Sequence, residues 1–336
     1  MIDYKSIRDV HLEMSTLCNA ACPWCPRNFW GYPFNGGYPE INLTLDNANK
    51  IFIPEFLKQL HSIRINGNFG DIVMNPEGDQ IVEYFRSQNS KLNISISTNG
   101  SARNREFWES LAESQCDVTF ALDGLDDTHH LYRQNTSWKT IIKNATIFIA
   151  AGGNAAWKMI KFKHNLHQID ACRKLSQELG FSEFVTVDQG RNTAPVFDKN
   201  GNLSHVLGDY NSETSFEVLF YKKNNDDVLL EDIAKDRIPK AKIICETKKL
   251  RSIYIAANGD VSPCCFTGFY PKTYGKGQYY QAANEQLKSL ITKNNALEYS
   301  LSECINWFKS IEDSWKIQSY NNGRLIICDD NCGINQ

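Results

Sequence analysis

His11-Leu-Glu-Met-Ser-Thr-Leu-Cys18-Asn-Ala-Ala-Cys22-Pro-Trp-Cys25 is the stretch whose reading decides the fold of this chain. It opens as a short, partly apolar, strand-like run and becomes a loop in which Cys18, Cys22 and Cys25 follow the spacing C-x3-C-x2-C. Three thiolates so close in sequence can close on one side of a metal centre. They do not supply the fourth ligand that a structural zinc site or an ordinary iron–sulfur site has. An iron–sulfur cluster held by three cysteines leaves one iron open to a small molecule. Trp24 would set an aromatic ring beside that iron. A zinc loop, or three unrelated cysteines, is the competing reading of the triplet alone.

Composition narrows the setting. The chain has 336 residues, enough for one large domain and a small one, with 42% hydrophobic and 22% charged residues as in a soluble globular protein. A net charge of −3 leaves no global basic field to favour nucleic acid. No apolar run approaches the roughly 20 residues of a membrane span. The N-terminus, Met1 to Val10, carries no signal-peptide pattern. Eleven cysteines, an odd number, in a chain read as unexported point to metal binding or catalysis in a reducing compartment. The expected location is the cytoplasm.

Outward from the cysteine loop, strand and helix signals alternate. Asn28 to Pro39 is rich in glycine and aromatics and reads as a loop. Thr44 opens a helix carrying Leu45, Ala48, Ile51 and Phe52 at helical spacing, and Pro54 breaks or kinks it. Strands are expected at Ser62–Asn66, Leu92–Gly100, Asp117–Gly124, Trp157–Phe162 and Phe184–Asp188. Helices lie between them, to about residue 90, around Phe107–Ser114, over Ile141–Ala151 and over Ile169–Leu179, the last stopped by Gly180. Counting the first strand, six strands alternate with helices, which calls for a parallel sheet with right-handed connections. His129 and His130 read as a polar turn or helix start, and Cys172 and Cys304 as buried thiols.

The C-x3-C-x-aromatic-C loop after a first strand resembles the signature of the radical S-adenosylmethionine superfamily. The resemblance implies an α/β fold, a partial (β/α)6 TIM-like barrel over residues 1–190, with ligand-bearing loops at the C-terminal ends of its strands. It implies a 4Fe–4S cluster on Cys18, Cys22 and Cys25, with S-adenosylmethionine on the open iron. That cofactor is reductively cleaved to methionine and a 5′-deoxyadenosyl radical, which abstracts a substrate hydrogen atom. Further motifs fall in the family's order. Gly67-Asn-Phe-Gly70-Asp71 stands where the family carries Gly-Gly-Glu-Pro or Tyr-Gly-Glu-Pro, with Asp71 for the glutamate and Ile72 for the proline. Ser97-Thr-Asn99-Gly closes the third strand. Ala121-Leu-Asp-Gly stands where the family usually has a ribose-contacting serine. Arg133 stands where an arginine can pair with the methionine carboxylate. The cofactor contacts implied are Trp24, Gly70, Asp71, Ser97, Asn99, Arg133 and Asn165.

Residues 191–240 read as a linker with substrate-contacting loops; Asp198-Lys-Asn-Gly-Asn is a turn, and Phe216–Tyr221 the one hydrophobic run. From Cys245 the cysteines return. Cys245, Gly259 and Cys264 follow the pattern C-x13-G-x4-C, and Ser252–Pro263 reads as a β-hairpin with an Asn-Gly turn. This resembles the opening of SPASM and twitch domains, with the shorter twitch form fitting the cysteine number better. The implied domain covers residues 241–336 as a small α+β unit, a β-hairpin plus helix. Its implied ligands to one auxiliary 4Fe–4S cluster are Cys245, Cys264, Cys328 and Cys332; tetrahedral zinc is the alternative for the same four. Cys265, read as lying on an extended segment, should point away from the cluster and stands as a candidate catalytic residue, a proton acceptor or hydrogen-atom donor.

Three functions are carried forward. One is modification of a peptide or protein side chain, the second is oxidation or rearrangement of a small metabolite such as a sugar alcohol, and the third is a non-catalytic metal-stabilised binding module. The first strand starts near residue 8, which disfavours leader-dependent peptide maturation unless a separate partner supplies recognition. The expected partners are an electron donor such as flavodoxin or ferredoxin and the substrate, with no membrane and no clear nucleic-acid binding.

Overall fold

The computed structural model describes residues 2–33, 39–188, 194–208, 238–240, 242–269 and 285–334. Its frame is a sheet of eight strands. β1 (Asp9–Leu12), β2 (Ser62–Ile65), β3 (Asn93–Thr98), β4 (Asp117–Ala121), β5 (Asn154–Ile160) and β6 (Glu183–Val187) lie side by side in chain order, all parallel. Each of the six coincides with an expected strand. The intervening helices include Gly78–Gln88, Arg105–Glu113, Trp138–Ala150 and Ile169–Glu178. This is the parallel sheet expected from the alternation, in the α/β partial-barrel form that the resemblance implied.

Period two explains how the sheet sits. Val10, Leu12, Ile63, Ile65, Ile94, Ile96, Val118, Phe120, Trp157 and Met159 alternate along their strands and are almost fully buried against the helices. Burying each aliphatic side chain contributes roughly 1.5–3 kcal/mol. The residues between them face the lumen. Local signals set the helix ends: Thr44 Oγ1 accepts from Asn47 N, Pro54 occupies the first turn of the next helix, and Gly180 takes φ +86° just past Ile169–Glu178.

The expected hairpin is present as β7 (Ser252–Ile255) and β8 (Val261–Ser262), antiparallel, with Gly259 at φ +87° in its turn. Its placement was not anticipated. β7 pairs in parallel with β1, Asp9 opposite Ser252 and Leu12 opposite Ile255, so the hairpin extends the barrel sheet past its first strand. All four β7 residues are buried, as in a central strand covered on both faces. The core is likewise continuous: Leu301, Trp307, Phe308, Ile311 and Ile327 belong to the same hydrophobic cluster as Val10 and Ile63.

Part of the expected linker is ordered into Ala194–Phe197 and Leu203–Leu207, an antiparallel pair joined by the Asp198–Asn202 turn. With Ala20, Cys22, Tyr132, Ile160 and Phe162 it forms a second, smaller core beside the cysteine loop. The run Phe216–Tyr221 lies outside the described residues.

Candidate active site

Cys18, Cys22 and Cys25 leave the C-terminal end of β1 and line one cleft of about 340 Å³. Trp24 and Arg133 line it too, together with Gly67–Asp71 and Ser97, Thr98 and Asn99 at the end of β3. Trp24 is partly exposed and packs edge-on against Trp30 at 4.6 Å. N–H groups are aimed at the sulfurs. Ala20 N lies 3.4 Å and Asn99 Nδ2 3.6 Å from Cys18 Sγ, and Arg133 Nη1 lies 3.9 Å from Cys22 Sγ. Burial pushes the Cys22 thiol up to about 11, against the pull of Arg133, and raises Cys18 further. Neighbouring thiols add to both shifts. The protein alone thus holds these sulfurs protonated. With a metal bound, these cysteines would be held as thiolates, and the N–H donors would then face negative sulfur. Among the described residues, no three Cys, His, Asp or Glu side chains converge at the spacing of a single ion. A four-iron cluster takes each cysteine on a different iron, so its ligands stand farther apart.

The glycine loop is pressed onto the cysteine loop. A Cβ at Gly70 would stand 2.0 Å from Ser15 O and 2.6 Å from Leu17 O, so no other residue fits. Asp71 N donates to Leu17 O at 2.9 Å. The Asp71 carboxylate accepts from Thr98 Oγ1 at 2.6 Å, Asn99 N at 2.7 Å and Val73 N at 3.2 Å. It therefore clamps the end of β3 to this loop, and what the loop offers the cleft is backbone.

Glu13 was missed in the sequence reading. It is fully buried; Oε1 accepts from Phe69 N at 2.6 Å and Gly70 N at 3.2 Å, and Oε2 accepts from Tyr254 OH at 2.6 Å. It ties the glycine loop to the hairpin, and Asn68 Nδ2 ties the same loop to the helix after the hairpin, donating to Cys265 O at 2.9 Å. The signal available was an acid directly after a partly apolar strand, on the lumen-facing parity of His11.

Arg133 reaches the cleft already paired. Its Nε donates to Asp123 Oδ2 at 2.6 Å, and Asp123, fully buried, also accepts from Ile160 N at 2.6 Å. Asn165 does not line the cleft. Its amide accepts from Phe162 N and donates to Asp123 O and Ile160 O, bracing the loop after β5. Ser97 lines the cleft from the lumen face of β3, and Asn99 reaches Cys18.

His129 and His130 lie within the helix Asp126–Tyr132. His129 is buried, and Nδ1 accepts from Asp123 N at 3.2 Å, which leaves the proton on Nε2 facing Thr136 Oγ1 at 3.0 Å. Thr136 Oγ1 in turn donates to Arg133 O. Burial, then Arg133 and His130, lower the His129 pKa from 6.5 to about 3. The folded state thus excludes a proton the unfolded chain accepts. Its stabilisation is fully present above pH 6.5 and is lost as pH falls toward 3. Between pH 7.5 and 5.5 the wild type should lose about 1.4 kcal/mol more unfolding free energy than His129→Gln, read by denaturant titration. Equal losses in the two proteins would contradict this assignment.

Cys245, Cys264, Cys328 and Cys332 line a second pocket, of about 170 Å³, walled by Phe308, Ile311 and Trp315. Cys328 and Cys332 lie four residues apart on the helix Ile326–Cys332, hence on one face. Burial pushes the Cys264 thiol up to about 12, and Cys245 and Cys265 add to the shift, while Cys328 is raised by burial and by Cys264, Cys245 and Cys332. The expectation for Cys265 needs correction. The pair is not on an extended segment: Cys265 begins the helix Cys265–Phe269, and both Cys264 and Cys265 line the pocket. The period-two argument for opposite faces therefore does not apply. Cys172 and Cys304 are buried, as expected.

No protein-family model and no curated protein matches this chain. Solved structures do. Streptococcus suis SuiB bound to S-adenosylmethionine is 17% identical with a TM-score of 0.58, over 97% of this chain and 73% of that one. SuiB bound to the precursor peptide SuiA is 16% identical with a TM-score of 0.57, over 97% and 72%. Native anSMEcpe with bound AdoMet is 16% identical with a TM-score of 0.52, over 96% and 89%. At these identities the likeness is one of fold, and it spans almost all of this chain.

Proposed function

We propose that this chain is a radical S-adenosylmethionine enzyme that modifies a peptide or protein side chain. The observation that carries the reading is the cleft itself. Three cysteines in the pattern C-x3-C-x2-C, a glycine loop and an arginine meet at the C-terminal ends of parallel strands, with N–H donors aimed at two of the sulfurs. The cysteines fit a three-cysteine 4Fe–4S cluster. With cluster and cofactor bound, the chemistry supplied is one-electron cleavage of S-adenosylmethionine to methionine and a 5′-deoxyadenosyl radical that takes a substrate hydrogen atom.

The chain's own residues hold and shape this chemistry. Asn99 and Arg133 donate to the sulfurs of Cys18 and Cys22. Gly67–Gly70 brings backbone to the cleft wall, and Glu13 and Asp71 fix that loop from behind. Arg133, with one edge spent on Asp123, keeps further guanidinium donors that suit a carboxylate. Trp24 walls the cleft beside Cys25. Cys245, Cys264, Cys328 and Cys332 would hold one auxiliary 4Fe–4S cluster. A flavodoxin or ferredoxin would supply electrons in the cytoplasm. The peptide substrate is supported by the fold shared with peptide-bound SuiB. Oxidation of a small metabolite such as a sugar alcohol is the second reading.

Anaerobic reconstitution should yield close to eight irons per chain, two clusters. Cys264→Ala should lose the auxiliary share, whereas Cys265→Ala should keep all iron and still cleave S-adenosylmethionine. Iron loss in Cys265→Ala alone would move the ligand by one residue. Tetrahedral zinc at the second pocket in X-ray absorption would exclude the auxiliary cluster.

A further inference from the structure

The lumen face of the sheet is paved with short side chains. Register sets Ser97, Thr119 and Ala156 in one row, and Ala121 beside Lys158 in the next. Two cations share that face with His11, Tyr254 and Glu183. Lys158 on β5 lines the cysteine cleft half-buried, and Arg64 on β2 stands exposed beside His11. Among the described residues neither is ion-paired.

Glu183, on the same face, stands at the opposite end of β6, and the acids at the cleft end are engaged elsewhere. Glu13 accepts from Phe69 N, Gly70 N and Tyr254 OH; Asp71 accepts from Thr98, Asn99 and Val73; Asp123 is paired with Arg133. A lysine drawn into a half-buried wall loses part of its hydration and gains from a charge-assisted hydrogen bond that a ligand brings.

We infer that the lumen recognises a carboxylate on the substrate, received by Lys158 and attracted by Arg64, so that the modified peptide carries an acidic group close to the reacting residue. This deepens the peptide-modifying reading above and rests on it. The carboxylate has two sources, an aspartate or glutamate side chain and a chain terminus.

The test uses the anaerobic, iron-loaded protein saturated with S-adenosylmethionine, titrated calorimetrically with acetyl-Gly-Glu-Gly-amide, its Gln and Lys counterparts, and acetyl-Gly-Gln-Gly with a free terminus. The Glu peptide should bind about tenfold more tightly than the Gln peptide, with the preference shrinking at high salt. Preference for the free-terminus peptide instead would identify a chain-terminal carboxylate as the group received. Lys158→Met should abolish the preference and Lys158→Arg should retain it, with iron content serving as the folding control. Equal binding of all four peptides to the wild type overturns the inference. So does a loss of S-adenosylmethionine affinity in Lys158→Met without any peptide, which would assign the lysine to the cofactor. Failure of the wild type to form 5′-deoxyadenosine is a different result, and it overturns the enzyme reading instead.

Discussion

Replacing Cys18, Cys22 and Cys25 together by alanine should remove about half of the reconstituted iron and abolish 5′-deoxyadenosine formation. The remaining iron should stay with Cys245, Cys264, Cys328 and Cys332, because the two sets of sulfurs line separate pockets. The fold should survive. The cysteine loop packs into the small core with Ala20, Tyr132 and Phe162, whereas the main core of the barrel does not draw on these cysteines. Single replacements are less decisive, since a cluster can linger on two ligands and water. Iron analysis and far-UV circular dichroism on the triple variant separate loss of the cluster from loss of the fold. Complete loss of iron would mean that assembly of the second site depends on the first.

Asp329→Ala should destabilise the protein by about 3–5 kcal/mol, the cost of leaving a buried charge without its partner. Asp329 and Arg324 are 1% and 5% exposed. The carboxylate accepts from Arg324 Nε at 3.0 Å and Nη2 at 2.6 Å, from Tyr320 OH at 2.7 Å and from Lys240 N at 3.0 Å. Arg324 also donates to Trp315 O, Ile317 O and Lys240 O. Removing the carboxylate therefore strands a guanidinium in the interior and frees several chain segments at once. Asp329 lies between Cys328 and Cys332 on one helix, so the auxiliary share of iron should fall with the stability. Denaturant titration gives the first quantity and iron analysis the second. A change under about 1 kcal/mol would place this network among weak surface pairs.

The sheet was largely legible because period two is a local signal. The runs 62–66, 92–100, 117–124 and 184–188 each alternate against turn residues, and each became a strand. The place of Ser252–Ile255 was not legible. Its apolar run marks an interior strand, but pairing with β1 joins residues more than two hundred apart, and no local pattern encodes that. The cysteine loop was legible through its spacing alone. Glu13 was not singled out, because one acid in an apolar run looks like an interruption until Phe69, Gly70 and Tyr254 are seen to converge on it. Asn165 showed the opposite error. The resemblance implied a cofactor contact there, but its amide is spent on Phe162 N, Ile160 O and Asp123 O. The Cys264-Cys265 pair was misread because two residues after Pro263 are too few to tell a strand end from a helix start.

Cleavage of S-adenosylmethionine in this cleft is the central claim. The most direct measurement is anaerobic incubation of the reconstituted wild type with S-adenosylmethionine and a strong one-electron reductant, followed by quantification of 5′-deoxyadenosine and methionine. Both products should form in equal amounts, slowly without substrate, and neither should form from the Cys18, Cys22 and Cys25 triple variant. Iron-replete wild type that binds S-adenosylmethionine and forms neither product under any reducing condition would contradict the claim, and would favour a non-catalytic, metal-stabilised binding module.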